Sequence, residues 1–106
     1  MENCPLDKAK LGFHTWSLLH TIAAYYPDEP TPQQRKDIND FFTLIGRLYP
    51  CETCARDFTK LLASRPPEND SQKSLSEWLC RIHNHINQKL VAKNYEQKYW
   101  QVSLKI

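Results

Sequence analysis

Two cysteines, Cys51 and Cys54, stand three positions apart behind a proline in the run Pro50-Cys51-Glu52-Thr53-Cys54, and few chemistries use that spacing. Such a pair closes into a small disulfide, holds a metal ion, or exchanges electrons with a substrate dithiol. The backbone that carries it narrows the choice. From Cys51 onward the less polar residues fall at Cys51, Cys54, Ala55, Phe58, Leu61 and Leu62, the ladder of one helix face. Pro50 suits the first helical position, where a missing N–H costs nothing. The register predicts a helix over 51–63. Cys51 then sits in its first turn, where unpaired backbone N–H groups and the positive end of the helix dipole favour thiolate. Cys54 lies one turn deeper, which predicts an outer, attackable sulfur at Cys51 and an inner one facing the core. The plainer alternative is two ordinary buried cysteines, but Pro-Cys-x-x-Cys opening a helix is the redox arrangement.

The rest of the chain is also patterned for helices. Its 106 residues make one domain with a single core, and only two glycines and few β-branched runs place it in the all-α class. Asp7 is a plausible N-cap for a first helix over 8–26, with Leu11, Leu18, Leu19, Ile22, Ala23, Tyr25 and Tyr26 on a broad apolar face and Pro27 at its end. Thr31, Pro32 and Gln34 form a capping box for a second helix to about residue 49. Its Ile38, Phe41, Phe42, Ile45 and Leu48 read as core, and Gly46 suits a close helix crossing. A loop over 65–70 precedes a second capping box, Ser74 with Glu77, and a fourth helix to about residue 90. Leu75, Trp78, Leu79, Ile82, Ile86 and Leu90 make its apolar stripe, and Tyr95, Tyr99 and Trp100 suggest a short fifth helix folding back.

Beside that apolar stripe runs a second one, Cys80, His83, Asn84 and Asn87. Solvated helix faces favour Lys, Glu and Gln, whereas Asn and His are poorer helix formers. Amides and imidazoles in a row look like donors and acceptors for a buried planar ligand; the alternative is a partly solvated helix edge. On the first helix, Trp16 and His20 are four apart and share a side, while His14 points elsewhere. A zinc site built on Cys51 and Cys54 is the natural rival, but His83 and His85 point in nearly opposite directions and cannot share one metal. A thioredoxin-like fold requires a strand before the cysteines, and none is evident. A disulfide also needs an electron acceptor to be used more than once, and a planar two-electron flavin fits. The net charge of +2 is scattered, which speaks against nucleic acid, and no apolar run approaches a membrane span or a signal peptide.

Four motifs in order carry a specific likeness: Leu11-Gly12-x-His14-x-Trp16-x-x-Leu19-His20-Thr21, Ala24-x-Tyr26-Pro27, Tyr49-Pro50-Cys51-x-x-Cys54, and Trp78-Leu79-Cys80-x-x-His83-Asn84-x-x-Asn87-x-Lys89-Leu90. Together they resemble the Erv/ALR family of FAD-linked sulfhydryl oxidases. The resemblance implies a four-helix bundle with a short fifth helix, FAD at the bundle mouth, and a homodimer. It implies that Cys51 takes electrons from protein dithiol substrates and that Cys54 passes them to FAD, with oxygen or cytochrome c as final acceptor. By motif match, Gly12, His14, Trp16, His20, His83, Asn84, Asn87, Lys89 and Leu90 line the FAD site with Cys54, and Tyr25 and Trp100 join as weaker candidates. Family habit implies the mitochondrial intermembrane space, with a secretory or viral setting as the alternative. The likeness departs at Phe13, where many members carry a basic residue, and at Cys80, which has no cysteine after it. The functional alternative is a flavin-free helical redox or zinc-binding module.

Overall fold

The structure, a computed structural model, describes residues 7–92, with side chains described through residue 88. Four α-helices follow one another: α1 (Lys8–Ala24), α2 (Pro32–Leu48), α3 (Glu52–Ser64) and α4 (Gln72–Ala92). The expected bundle is present, and the segment expected to form a fifth helix lies outside the described residues.

Helix starts follow the capping chemistry. Asp7 accepts the Lys10 N–H at 2.9 Å, and Thr31 and Gln34 complete the reciprocal box at the head of α2. The head of α4 differs from expectation. Ser71, not Ser74, takes the capping role: its hydroxyl accepts the Ser74 N–H at 3.1 Å and its carbonyl accepts from Leu75. Both serines suit the role, and the one nearer the loop gains an extra turn of helix.

The helices pack as two pairs, α1 with α4 and α2 with α3. Trp16, Leu19, Ala23, Tyr26, Ile38, Phe42, Phe58, Leu61, Leu75, Trp78, Leu79 and Ile82 form one core between the pairs. At its centre Phe42 meets Trp78 edge to face, ring centroids 5.0 Å apart. Three expected core positions instead face outward: Leu18, Tyr25 and Leu48 are exposed, Leu48 to 74 %. Leu18 and Leu48 lie at the flank of their apolar stripes, beyond the arc that one neighbouring helix covers, and Tyr25 is past the end of α1, at its C-cap.

The two ends of the bundle differ. At one end the loop after α3 is pinned from all sides. Tyr26 donates to the Asn69 carbonyl (2.9 Å), the Asn69 amide reaches Asn39 (3.1 Å) and the Arg35 carbonyl (3.4 Å), and the Trp78 indole N–H donates to the Arg65 carbonyl (3.0 Å). Arg35–Asp70 and Arg81–Glu68 ion pairs flank this clasp. Because the end of α1 meets the start of α4 there, those two helices run antiparallel. The opposite end, the mouth, gathers the start of α1, the end of α2, the start of α3 and the later part of α4.

Gly46 makes the α2–α3 crossing possible. Thr59 donates to the Gly46 carbonyl at 3.1 Å, and a Cβ on Gly46 would stand 2.7 Å from the Thr59 hydroxyl oxygen. Gly46→Ala is therefore expected to destabilise the domain by about 1 kcal/mol, because the displaced hydroxyl and lost hydrogen bond outweigh the gain in helix propensity. In a Thr59→Ala background the same change becomes neutral or stabilising; urea denaturation of the four proteins measures it, and additive effects would contradict the contact.

Candidate active site

The cysteine pair is built into the first turn of α3. Cys51 is the N-cap, with extended backbone (φ −145°, ψ 105°), and the helix begins at Glu52. Pro50 therefore precedes the cap instead of occupying the first helical position. The Cys51 N–H donates to the Tyr49 carbonyl at 2.9 Å, and the Cys51 sulfur accepts the Cys54 N–H at 3.4 Å. The two cysteines form a disulfide. This geometry strengthens one expectation and overturns another. Negative charge on Cys51 gains a direct backbone donor as well as the helix dipole. Exposure, however, runs opposite to the expected order: Cys51 is buried at 6 %, and Cys54 is half-buried. As the cap, Cys51 is folded back over the turn it terminates.

The second part of the site is on the other helix pair. Trp16 of α1 stacks on His83 of α4, ring centroids 4.0 Å apart and planes 9° from parallel. His20, one turn after Trp16, shares a hydrogen bond between its Nε2 and His83 Nδ1 at 2.9 Å. His83 is buried, and so is Asn87 one turn further along α4. Burial lowers the pKa of both histidines, and holds His83 down to about 3 with the neighbouring His20 charge adding to the effect. Both rings are therefore neutral near pH 7, and one donates to the other.

Three buried polar atoms here have no hydrogen-bond partner among the described residues: His83 Nε2 and both amide atoms of Asn87. Unpaired groups of this kind are costly, and a cluster of them marks a place built to be completed. A donor–acceptor edge next to a flat aromatic stack suits a planar heteroaromatic ligand, the chemistry of a flavin nucleotide's rings.

The remaining candidates divide. Gly12 is buried at the start of α1, while His14 is exposed, edge-on to Phe13 at 5.4 Å. The polar stripe expected on α4 splits in two: His83 and Asn87 turn inward, whereas Cys80 and Asn84 are exposed. Positions 80 and 84 follow a helical row displaced from that of 83 and 87, so one neighbour covers only the latter. Tyr25 is 86 % exposed at the C-cap of α1, at the clasp end, away from the cluster. The Lys89 and Leu90 side chains and all of Trp100 lie outside the described residues. Among those described, no group of three or more His, Cys, Asp or Glu converges to hold a metal.

Tyr49 opens the third motif but was given no role, and Thr15 was not singled out. Half-buried Tyr49 is the C-cap of α2; burial pushes its pKa up, with the Thr15 side chain of α1 opposing. Thr15 adjoins Trp16, and Tyr49 is two residues from Cys51.

A helical bundle with a Cys-x-x-Cys disulfide and a buried aromatic–imidazole stack at one end defines a helical redox domain. The chain belongs to the Erv1 / Alr family, whose profile matches residues 13–105. It is 46 % identical over 86 residues to the FAD-linked sulfhydryl oxidase ERV1 of Arabidopsis thaliana, covering 81 % of this chain and 45 % of that protein. It is 37 % identical over 97 residues to the mitochondrial FAD-linked sulfhydryl oxidase ERV1 of Saccharomyces cerevisiae, covering 92 % and 51 %. The chain thus spans about half the length of the curated relatives it matches. The crystal structure of the yeast Erv1 core superposes with a TM-score of 0.81 at 37 % identity, covering 92 % of this chain and 82 % of that one.

The histidine pair makes stability pH-dependent in a defined direction. Both folded-state pKa values lie below the ordinary 6.5, so on acidification the unfolded chain takes up protons first. Stability is expected to be full above pH 6.5 and to decline as the pH falls toward 5, with His83 contributing up to about 1.4 kcal/mol per pH unit. Urea denaturation between pH 7.5 and 5 measures this slope. His83→Gln should flatten it, and an equal slope in the variant would mean that other groups cause it.

Proposed function

We propose that this domain is an FAD-dependent thiol oxidase that converts protein dithiols into disulfides. The observation carrying this reading is the placement, at one end of the bundle, of a Cys-x-x-Cys disulfide and a buried stack ending in polar atoms unpaired among the described residues. The likeness to proteins named FAD-linked sulfhydryl oxidases supports it.

Cys51 and Cys54 do the thiol chemistry. A client thiolate attacks the disulfide, one cysteine leaves as thiolate, and the second client thiol resolves the mixed disulfide. The client departs oxidised, and its two electrons stay on the cysteine pair. FAD, when bound, would supply the two-electron acceptor for the reduced pair, with oxygen or cytochrome c as the final acceptor. Trp16 and His83 offer a face for its ring systems, and His83 Nε2 and Asn87 offer hydrogen bonds. Gly12, His14, His20, Asn84, Lys89 and Leu90 complete the proposed binding set by their place in the motifs. The Cys54 N–H and the helix dipole stabilise Cys51 as thiolate whenever the S–S bond is open. Client exchange is assigned to Cys51 and delivery to FAD to Cys54.

Two copies are proposed to pair through α1 and α2, where Leu18 and Tyr25, and Leu44 and Leu48, lie exposed at helical spacing. The proposed location is the mitochondrial intermembrane space, supported by yeast relatives named as mitochondrial.

Purified protein is expected to be yellow, with a flavin spectrum that bleaches under anaerobic dithiothreitol. Cys54→Ser should keep the colour, fail to bleach, and form a stable mixed disulfide on Cys51 with a client peptide supplied in its disulfide form. Trapping at Cys54 in Cys51→Ser alone would reverse the order of the sulfurs, and a colourless, zinc-loaded protein would end the oxidase reading. In light scattering the parent should be a dimer and a Leu18→Lys, Leu48→Lys double variant a monomer; a monomeric parent contradicts the pairing.

A further inference from the structure

The end of α3 that carries the sulfur pair also carries an acid. Cys51 is the N-cap, Glu52 is the first helical residue, and Cys54 closes the same turn by giving its N–H to the Cys51 sulfur. Two negative charges therefore share one positive helix end: the Glu52 carboxylate, and the Cys51 thiolate whenever the S–S bond is open. Consecutive Cα atoms stand about 3.8 Å apart, so every Glu52 rotamer leaves the two charges within about one Debye length at physiological salt. The dipole that favours one favours the other, and each like charge raises the energy of its neighbour.

Arg56, one turn further along α3, is the counterweight. Its guanidinium stands 3.5 Å from the Glu52 carboxylate, and both side chains are exposed, Glu52 to 91 % and Arg56 to 60 %. An exposed pair of this kind contributes little to folding. Neither residue belongs to the core, so substitution changes the field at Cys51 and leaves the packing alone. The elements at the mouth bring other charged or titratable groups, among them Arg47 and Tyr49 of α2, Asp57 of α3, Lys10 and His14 of α1, and His83 of α4. These are common to the parent and to every variant below, so their titration cancels in the comparison.

We propose that Glu52 acts through Cys51, setting the acidity of its thiol and thereby how readily the reduced pair gives up its electrons. This rests on the thiol oxidase reading for its consequence in the reaction, but not for its effect on the thiol. In that reaction the client dithiol loses two electrons and two protons, the Cys51–Cys54 bond breaks, and the electrons must then leave for the acceptor. A thiolate held firmly at the helix end makes a dithiol–disulfide pair a strong oxidant of clients and a poor donor to whatever follows. The Glu52 charge offsets part of that stabilisation, and Arg56 limits the offset. The pair is left able both to accept electrons and to deliver them.

The test compares the parent with Glu52→Gln, Glu52→Asp and Arg56→Gln, each as the FAD-loaded protein. The Cys51 Cβ resonance of the anaerobically reduced protein, followed by NMR from about pH 5 to 10, reports the thiol titration. Glu52→Gln should raise the acid dissociation constant of Cys51 by about threefold, the weight of one charge at a helix end. Glu52→Asp, which keeps the charge, should match the parent, and Arg56→Gln should lower the constant. The equilibrium with dithiothreitol, read by alkylation, should follow. Well above the midpoint of the titration, Glu52→Gln shifts it toward the reduced pair by about threefold; well below, where the thiol is neutral, the variant and parent coincide. A parental titration in Glu52→Gln overturns the proposal. An equal shift in Glu52→Asp, or an equilibrium change that persists below the midpoint, also overturns it by marking a structural effect. A colourless parent protein overturns the oxidase reading instead, and the Cys51 titration, which does not depend on flavin, still decides the role of Glu52.

Discussion

The stack of Trp16 on His83, locked by the His20 hydrogen bond, is the contact on which the rest of the arrangement depends. It joins α1 to α4 through polar, directional groups inside a core that is otherwise apolar, and among the described residues it leaves the far side of His83 and the whole Asn87 amide unpaired. A fold that only needed to be stable would fill this position with aliphatic side chains, because unsatisfied buried polar groups are a net loss. Their presence is a property of a site, and burial keeps both imidazoles neutral so that they act as donors and acceptors near pH 7.

The architecture separates stability from chemistry along the bundle axis. The clasp of Tyr26, Arg35, Asn39, Asn69 and Trp78 ties all four helices at one end. The disulfide, the stack and the start of α1 collect at the other. Such an arrangement lets one end tolerate unpaired groups and a reactive sulfur pair, since the opposite end and the shared core hold the helices together.

Much of this was legible in the residues. The helices follow from apolar periodicity and from caps at Asp7 and Thr31, whose side-chain chemistry is local. The site residues His83 and Asn87 stood out because they are poor helix formers placed beside a core stripe. Features that depend on how helices rotate against one another were not legible. Leu48 and Tyr25 fit the apolar pattern yet face outward, and Cys80 and Asn84 fit the polar stripe yet miss the interior by part of a turn. The cysteine register shifted because Cys51 supplies its own sulfur as the cap, a role usually given to Ser, Thr, Asp or Asn. Tyr49 opens the third motif, but its place at the C-cap of α2 gave no separate signal, since a tyrosine at a helix end shows neither periodicity nor charge.

The edge of His83 and Asn87 that is unpaired among the described residues receives a planar cofactor in this reading. The most direct measurement is the side-chain amide resonance of Asn87, followed by NMR while FAD is added to flavin-free protein. On binding, the Asn87 amide protons are expected to shift and become protected from exchange, together with the Trp16 indole signal. Saturable FAD binding that leaves Asn87 and Trp16 unperturbed would contradict it.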